Sequence, residues 1–177
     1  MIIALGGRAG SGKSTIGKIL AKKLKYKHYS MGDFQREIAK ERNISIIELG
    51  ELEEKDPSID QEVDKKQIDL GKSQDNFVID SRLGFHFIPQ AKKVFLEADF
   101  ELRASRILND KSRKEDNPDI NKAKENIIKR EKSEIKRYTK YYHINPYDTK
   151  KYDIIIDASG NEPEEIADNI IKSINKN

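Results

Sequence analysis

The stretch that decides the fold is GRAGSGKS, residues 7–14. It matches in full the pattern of a glycine, any four residues, a second glycine, a lysine and a serine or threonine. The apolar run from Ile2 to Leu5 precedes it without alternation, which predicts a strand buried on both faces. Apolar side chains follow it at helical spacing, at Ile16, Ile19, Leu20 and Leu24. We therefore expect a strand, a glycine-rich loop and a helix in direct succession.

This loop has the chemistry of a phosphate site. Its glycines allow the backbone to curl until several N–H groups converge on one anion, and the helix that follows adds the positive end of its dipole. Lys13 supplies a mobile charge for the β- and γ-phosphates, and Ser14 supplies a hydroxyl ligand for Mg²⁺. The chain lacks the guanine-reading Asn-Lys-x-Asp motif that a Ras-like GTPase would need, and its small size favours a small-molecule kinase. The residues predicted to bind ATP here are Gly7, Arg8, Ala9, Gly10, Ser11, Gly12, Lys13, Ser14 and Thr15.

The rest of the chain alternates short apolar runs with helical patterns. Four further strands are predicted, at about 28–30, 77–80, 94–96 and 153–157. Helices are predicted between them, among others at about 99–108 and 121–142 and after residue 161. Strands that alternate with helices indicate an α/β domain with a parallel sheet. We expect a three-layer α/β/α P-loop NTPase fold with a five-stranded parallel sheet.

Local signals place some helix ends and one helix face. Ser45 begins a capping-box pattern, and Asp56 with Pro57 is typical of an N-cap followed by the first helical residue. On the long helix at 121–142, the apolar spacing predicts a buried face that carries Ile128, Ile135, Tyr138 and Tyr142.

Composition excludes several classes of function. The 177 residues include no cysteine, which excludes a disulfide scaffold, a thiolate zinc site and a cysteine nucleophile. The 34 basic and 31 acidic residues are too balanced to indicate a nucleic-acid partner by charge alone. No apolar run approaches the ~20 residues of a membrane span, and the N-terminus does not resemble a signal peptide. We expect a cytoplasmic monomer without nucleic-acid or membrane partners.

Two further polar clusters follow predicted strands. The first, SMGDFQR at residues 30–36, places Arg36 one turn beyond a predicted helix start, where the helix dipole also favours phosphate. The second, Asp80-Ser81-Arg82, ends the third strand. The carboxyl ends of parallel strands are where open α/β sheets bind ligands, so both clusters are candidates for the second substrate.

Together with the phosphate loop, these clusters resemble those of the nucleoside monophosphate kinases, in particular the archaeal-type cytidylate kinases. In that family a Ser/Thr-x-Gly-Asp/Glu-x-x-Arg run begins the acceptor helix, and its arginine grips the acceptor's phosphate. The matching residues here are Ser30, Gly32, Asp33 and Arg36. The resemblance implies that Arg82 also binds that phosphate and that Asp80 holds Mg²⁺ through water. Ser81 replaces the family's glycine, a mild departure.

The resemblance extends to the long helix. Arg130, Glu134 and Arg137 match an Arg-x-x-x-acid-x-x-Arg pattern, and their spacing places them on one face. The resemblance implies that both arginines reach the transferred phosphoryl and the acceptor phosphate, and that Glu134 orients an arginine or the acceptor sugar. An exposed ladder of ion pairs is the alternative for these three residues. Arg103 and Arg106, before a polar lid, are expected at ATP.

The resemblance implies ATP-dependent phosphorylation of CMP, and of dCMP, with release of ADP. The predicted domain spans 1–177, with a core at 1–30, 76–108 and 120–177, an acceptor-binding helical region at 31–75 and a lid at about 109–119.

The amine of cytosine needs a carboxylate and a hydrogen-bond donor nearby. Asp60, Asp64 and Gln67 are candidates for that role, although so charged a helix is also expected to leave them in solvent.

Two alternatives stay open. One is a kinase for another acceptor, UMP or AMP. The other is a non-kinase P-loop ATPase that acts on RNA or ribosomal partners, which would need exposed aromatic side chains beside basic ones. The candidates for such a surface are Tyr138, Tyr141, Tyr142 and Tyr147, whose spacing suits core packing better.

Overall fold

The sheet contains five strands and all neighbours pair in parallel. The structure, a computed structural model, describes residues 1–110 and 118–176. The strands are β1 (Ile2–Gly7), β2 (Lys27–Ser30), β3 (Phe77–Asp80), β4 (Lys92–Glu97) and β5 (Ile154–Asp157). Their spatial order is β2-β3-β1-β4-β5. The predicted strands and their parallel arrangement are confirmed.

Helices cover both faces of the sheet. They are α1 (Lys13–Leu24), α2 (Met31–Glu41), α3 (Ile46–Glu53), α4 (Ser58–Ser73), α5 (Gly84–Phe87), α6 (Phe100–Asn109), α7 (Ile120–Tyr142) and α8 (Pro163–Lys176), with a 3₁₀ turn at Thr149–Lys151. Ile3 and Leu5 of β1 pack with α1 and α8, whereas Ile2 and Ala4 pack with α2, α3 and α4. Successive side chains of a strand point to opposite faces, so β1 contributes to both core layers. The three-layer prediction is confirmed.

Of the two predicted helix starts, one is confirmed and the other is displaced by one residue. Ser45 Oγ accepts from the Glu48 backbone N–H at 3.1 Å, and the Glu48 carboxylate accepts from the Ser45 N–H at 2.7 Å, so the capping box is confirmed. The predicted start of α4 is wrong by one residue. Pro57 occupies the N-cap position, and Asp56 Oδ1 accepts from the backbone N–H of Ser58 at 2.9 Å. The sequence did not predict α5, because its four residues are too few to show periodicity.

The buried face of α7 differs from the predicted one. Ile128 and Ile135 are 45% and 36% exposed, so the prediction that they are buried is wrong. The side chains that α7 does bury are Ala123, Ile127, Glu134, Arg137 and Tyr138. This helix packs its inner face against polar groups at the edge of the sheet, so apolar spacing alone does not identify that face.

The carboxyl ends of β1, β2 and β3 meet at one edge. Ser30 of β2 and Leu5 of β1 both lie in register with Asp80 of β3. The phosphate loop after β1 and the acceptor cluster after β2 therefore begin beside Asp80. Most of the predicted lid, residues 111–117, lies outside the described residues. In the part of the chain that the structure describes, no helix has the length and apolar character to cross a membrane.

Candidate active site

The phosphate loop has a backbone that glycine adopts most easily. Gly10 and Gly12 have φ angles of +79° and +92°, in the left-handed region. A Cβ on Gly10 would lie 2.5 Å from the Arg103 carbonyl oxygen, so the loop also lies too close to α6 for a side chain. Lys13 Nζ donates to the carbonyl oxygens of Gly7 and Arg8, at 2.8 and 2.7 Å. The loop thus holds the ammonium beside the backbone that is predicted to surround the phosphates.

A cavity of about 290 Å³, the phosphate cavity, opens at the carboxyl edge of the sheet. Its lining residues are Ala9, Gly10, Gly12, Lys13, Ser14, Thr15, Lys18, Gly32, Asp33, Arg36, Asp80, Arg82, Asp110 and Arg130. The fold thus gathers the phosphate loop, the start of α2, the end of β3 and one arginine of α7 around one space. Of the loop residues predicted to bind ATP, Gly7, Arg8 and Ser11 are not part of this lining.

Two side chains of β2, those of His28 and Ser30, hold the Asp80 carboxylate. Its Oδ2 lies 3.0 Å from His28 Nε2, and its Oδ1 accepts from the Ser30 hydroxyl at 3.0 Å. Burial alone would raise the pKa of Asp80, but the His28 hydrogen bond and the charge of Lys13 outweigh it and hold that pKa below its ordinary value. Sequence analysis missed His28, although it lies two residues before Ser30 and so on the same face of the strand.

The lining can accommodate Mg²⁺. The Ser14 hydroxyl and the ionised Asp80 carboxylate are both oxygen ligands and border the same cavity. Mg²⁺ in phosphate-transfer sites keeps several waters and binds one or two protein oxygens together with substrate phosphates. The predicted metal residues therefore fit the ion's chemistry. Among the residues that the structure describes, no cluster of three or more His, Asp or Glu forms a separate metal site.

The acceptor cluster forms the first two turns of α2. Ser30 is its N-cap, and the Ser30 hydroxyl accepts from the Asp33 backbone N–H at 3.2 Å. Arg36 pairs with the Asp33 carboxylate one turn below. The guanidinium of Arg36 therefore lies on the cavity side of the helix start, next to Gly32, whose missing side chain leaves the space open.

Glu134 binds two of the predicted arginines. It accepts from Arg82 Nε at 2.7 Å and from Arg130 Nε at 3.0 Å, and the Tyr147 hydroxyl also donates to it. Burial would raise the pKa of Glu134, but the two guanidinium charges hold it well below its ordinary value. The Arg130 and Glu134 side chains are 12% and 3% exposed, so the alternative of an exposed ion-pair ladder is wrong. The prediction that Glu134 orients an arginine agrees with this geometry.

Arg8 of the phosphate loop and Arg103 of α6 share one carboxylate, that of Glu131. Glu131 accepts from Arg8 at 2.6 Å and from Arg103 at 2.7 Å, and Arg103 also donates to the Ala9 carbonyl oxygen at 3.1 Å. Arg103 is buried and lies outside the phosphate cavity, so its contact with ATP stays a prediction. Glu131 was missed, yet it shares a helical stripe with Ile127.

Arg106 lies beside a further space of about 380 Å³, which shares Gly10, Gly12, Thr15 and Asp110 with the phosphate cavity. It donates to the Ala158 carbonyl oxygen at 2.8 Å. The lining residues are Gly10, Gly12, Thr15, Ile16, Arg106, Ile107, Asn109, Asp110, Pro163 and Ile166. Apolar side chains and an arginine next to the phosphate loop are suited to the base and ribose of a nucleotide.

A smaller cavity of about 40 Å³, the inner cavity, lies between α2, α3 and α7. It shares Arg130 with the phosphate cavity. Its other lining residues are Gln35, Ile46, Ile47, Gly50, Glu51, Glu53, Glu54, Lys129, Ser133, Glu134 and Arg137. The structure therefore separates the two arginines of the α7 pattern. Arg130 reaches the phosphate cavity, whereas Arg137 lines only the inner one, and its role in catalysis stays a prediction.

The three candidate base-reading residues of α4 are buried, so the expectation that they lie in solvent is wrong. Asp60 is 2%, Asp64 7% and Gln67 1% exposed. Asp60 pairs with Arg137, Asp64 accepts from Tyr142, and the Gln67 amide bonds both Asp64 and the Ser81 hydroxyl. Ser81, the departure from the family's glycine, thus has a partner. None of the three α4 residues lines the phosphate cavity or the inner cavity, so reading of the base by them stays a prediction.

A parallel sheet in this order, with a phosphate loop after β1 and arginines at its carboxyl edge, defines the class of P-loop kinases. Solved structures share the fold. A shikimate kinase from Bacteroides thetaiotaomicron has a TM-score of 0.70 at 15% identity, with 99% of this chain and 98% of that one covered. A shikimate kinase from Aquifex aeolicus has a TM-score of 0.61 at 23% identity, with 99% and 96% covered.

The model of the cytidylate kinase-like family matches residues 2–160, and the chain belongs to that family. Curated relatives agree. The cytidylate kinase of Methanococcoides burtonii is 36% identical, over 98% of this chain and 97% of that protein. The cytidylate kinase of Sulfolobus acidocaldarius is 38% identical, over 99% and 95%.

Proposed function

We propose that the chain catalyses the transfer of the γ-phosphoryl group of ATP to CMP, and to dCMP, with release of ADP. The observation that carries the proposal is the phosphate cavity, which has the phosphate loop on one side and Arg36, Arg82 and Arg130 on the other. A donor and an acceptor phosphate need positive charge from both sides if they are to approach each other. The names of the curated relatives support CMP as the acceptor.

The donor half is assigned to the loop. Backbone N–H groups of residues 7–14 and the start of α1 bind the phosphates of ATP, and Lys13 places its charge on the β- and γ-phosphates. Ser14 directly, and Asp80 through water, would hold Mg²⁺, which when bound neutralises phosphate charge as the bond to the leaving oxygen breaks. Arg106 and the apolar space beside it are assigned to the remainder of ATP.

The acceptor half is assigned to α2 and the end of β3. Arg36 and Arg82 bind the monophosphate of CMP, and one of its oxygens attacks the γ-phosphorus while the bond to the β–γ bridging oxygen breaks. Arg130 borders both reactants and stabilises the charge that spreads over the transferred group. The rigid hold of Glu134 on Arg82 and Arg130 fixes both guanidinium groups before substrates bind.

We extend the proposal to organisation. Residues 31–75 form the acceptor-binding region, residues 109–119 act as the lid, and the enzyme is a monomer. Closure over the site would exclude water, which otherwise competes as acceptor.

The aromatic candidates for an RNA surface do not support the alternative ATPase function. Tyr138 and Tyr147 are buried, and the Tyr141 hydroxyl donates to the Glu53 carbonyl oxygen at 3.0 Å. Tyr142 donates to Asp64. Tyr141 and Tyr142 therefore join α7 to α3 and α4, whereas Tyr138 packs against Leu83 and Phe85 and Tyr147 donates to Glu134.

The experiment is a coupled assay of ADP release with CMP, dCMP, UMP and AMP in turn, and with single-stranded RNA in place of a monophosphate. We expect CMP and dCMP to give the highest kcat/KM and RNA to give no stimulation. A higher kcat/KM for UMP or AMP would show that the preferred acceptor is not CMP. Stimulation of ADP release by RNA alone would show that the protein is an ATPase that acts on RNA and not a monophosphate kinase.

A further inference from the structure

The inner cavity lies directly behind the acceptor half of the proposed site. It lies between α2, α3 and α7 and opens to solvent beside Glu51 and Lys129, and Arg130 is the residue that it shares with the phosphate cavity. If Arg36 and Arg82 hold the phosphate of the acceptor nucleotide, the rest of that nucleotide could reach this smaller space. The polar groups in the cavity wall decide what kind of group fits there.

Three of these groups form one contact chain. Glu53 Oε1 accepts from Gln35 Nε2 at 3.2 Å, and Glu53 Oε2 lies 2.6 Å from Arg137 Nη1. The same Nη1 lies 2.6 Å from both oxygens of Asp60, on the side away from the cavity. The exposed fractions of Gln35, Glu53 and Arg137 are only 7%, 2% and 3%. All three line the cavity, although the sequence assigned no role to Gln35 or Glu53.

The contact chain is incomplete in two respects. Arg137 Nε is buried and has no hydrogen-bond partner among the described residues, 1–110 and 118–176. A buried donor without a partner carries a desolvation cost of about 1–3 kcal/mol, so an acceptor at this position would be favoured. In addition, the one guanidinium of Arg137 faces two carboxylates, those of Glu53 and Asp60. Arg137 therefore has a buried N–H donor that is unpartnered among the described residues, beside a carboxylate that can accept further hydrogen bonds.

We infer that Gln35, Glu53 and Arg137 read the base of the acceptor nucleotide and select cytosine over uracil; the inference rests on the proposed function. Cytosine presents an amino group, N4–H₂, next to an acceptor, N3. The amino group donates to Glu53 and to the side-chain oxygen of Gln35, and N3 accepts from Arg137 Nε. Arg137 Nε then has the partner that it lacks among the described residues of the free protein.

Uracil places the opposite groups in the same positions. Its O4 accepts and its N3–H donates, so O4 would face the Glu53 carboxylate and N3–H would face the Arg137 donor. Both contacts are repulsive, and such mismatches discriminate strongly because buried polar groups remain unpaired. Adenine has the cytosine pattern at N6 and N1, so the contacts alone do not reject AMP, and the small size of the cavity is the factor that favours a pyrimidine.

The electrostatics of Glu53 agree with this assignment. Burial raises the pKa of Glu53 from its ordinary value of 4.5 to about 7, although the charge of Arg137 opposes the rise. Burial disfavours the charged form of this carboxylate, and hydrogen bonds to the charged form oppose that effect. An amino group that donates to it would stabilise the ionised form.

The test is Glu53→Gln. Arg137 Nη1 requires an oxygen next to it, so the new amide keeps its oxygen there and places its NH₂ group where Oε1 stands. That NH₂ repels the cytosine amine and donates to O4 of uracil. The measurement is the ratio of kcat/KM for CMP to kcat/KM for UMP, together with the Kd of each monophosphate by calorimetry without ATP. We expect the ratio to fall at least about tenfold, through a weaker Kd for CMP.

Two further variants make the result decisive. Glu62→Gln removes the same charge from an exposed position of α4 and should leave the ratio unchanged. Arg137→Lys retains a cation for Asp60 but removes Nε–H, and should weaken the binding of CMP more than that of UMP.

If Glu53→Gln melts like the wild type and the CMP:UMP ratio of kcat/KM stays within about twofold of the wild-type ratio, the inference is wrong while the proposed function stands. If Glu53→Gln does not fold, Arg137→Lys decides, and an unchanged Kd ratio overturns the inference. A wild-type protein that does not phosphorylate CMP at all would overturn the proposed function, and the inference with it.

Discussion

Ser30 and Asp80 face each other across β2 and β3, and the Ser30 hydroxyl donates to Asp80 Oδ1 at 3.0 Å. The same oxygen of Ser30 accepts from the backbone N–H of Asp33, in the first turn of α2. One hydroxyl therefore joins the carboxylate assigned to the metal with the helix assigned to the acceptor phosphate. In the proposed mechanism, this bond fixes the distance between the donor and acceptor halves.

Lys13→Ala should nearly abolish turnover and leave the fold intact. The Lys13 ammonium contacts loop carbonyls and faces the phosphate cavity, so its charge is used on phosphate rather than in the core. Loss of a transition-state charge contact of this kind lowers kcat roughly 10²–10³-fold. The measurement is kcat at saturating ATP and CMP, with the far-UV circular dichroism as control. Retention of more than half of the wild-type kcat would contradict the assignment of the loop.

Arg36→Ala and Arg82→Ala should raise KM for CMP and leave KM for ATP nearly unchanged, because both guanidinium groups are assigned to a phosphate that is bound before and during the reaction. They should differ in stability. Arg36 pairs with a half-exposed Asp33, whereas Arg82 pairs with the buried Glu134. Breaking a buried pair leaves an uncompensated charge, so Arg82→Ala should melt well below Arg36→Ala. A rise in KM for ATP instead would show that the two halves of the site are assigned wrongly.

Arg130→Lys and Arg137→Lys should have different kinetic signatures. Arg130 borders the phosphate cavity, and a lysine there keeps the charge but loses the planar, bidentate group, so kcat should fall. Arg137 borders only the inner cavity, so its replacement should raise KM for CMP with a smaller change in kcat. Both constants are measured at saturating ATP. An equal fall in kcat for both variants would restore the catalytic role that the sequence pattern predicts for Arg137.

The effect of Glu53→Gln on the free energy of unfolding should depend on pH. The pKa of Glu53 is raised to about 7 in the folded protein, so the folded state binds a proton more tightly than the unfolded one. The contribution of Glu53 to stability is therefore fully present below its unfolded pKa and is lost as pH rises toward 7 and above. The glutamine variant does not titrate, so its free energy of unfolding relative to the wild type should be more favourable at pH 8 than at pH 5. Urea unfolding at both values measures it, with Glu62→Gln as control. The same difference at both pH values would contradict the raised pKa.

The sequence predicted those parts of the site that are local in the chain. The phosphate loop and the Ser30–Arg36 cluster need only a strand before them and a helix after them, so short motifs specify them. The face of α7 could not be predicted in the same way. Ile128 and Ile135 are exposed there, while Glu134 is buried, because Arg82 comes from a distant strand end to pair with it.

Glu53 and Gln35 were missed for a related reason. Neither belongs to a motif, and each becomes notable only when α2, α3 and α7 line the inner cavity. The burial of Asp60 on a charged helix likewise depends on Arg137, which is 77 residues away in sequence. Long-range pairing of charges is therefore what separates the prediction from the structure.

The most direct test of the central claim is transfer of label from ATP labelled in its γ-phosphate. The wild-type protein is incubated with labelled ATP, Mg²⁺ and CMP, and the products are separated by chromatography. We expect the label to appear in CDP, in step with the ADP formed, with little released as inorganic phosphate. Label recovered as inorganic phosphate at the same rate with and without CMP would contradict it, because the protein would then be an ATPase and not a kinase for cytidine monophosphate.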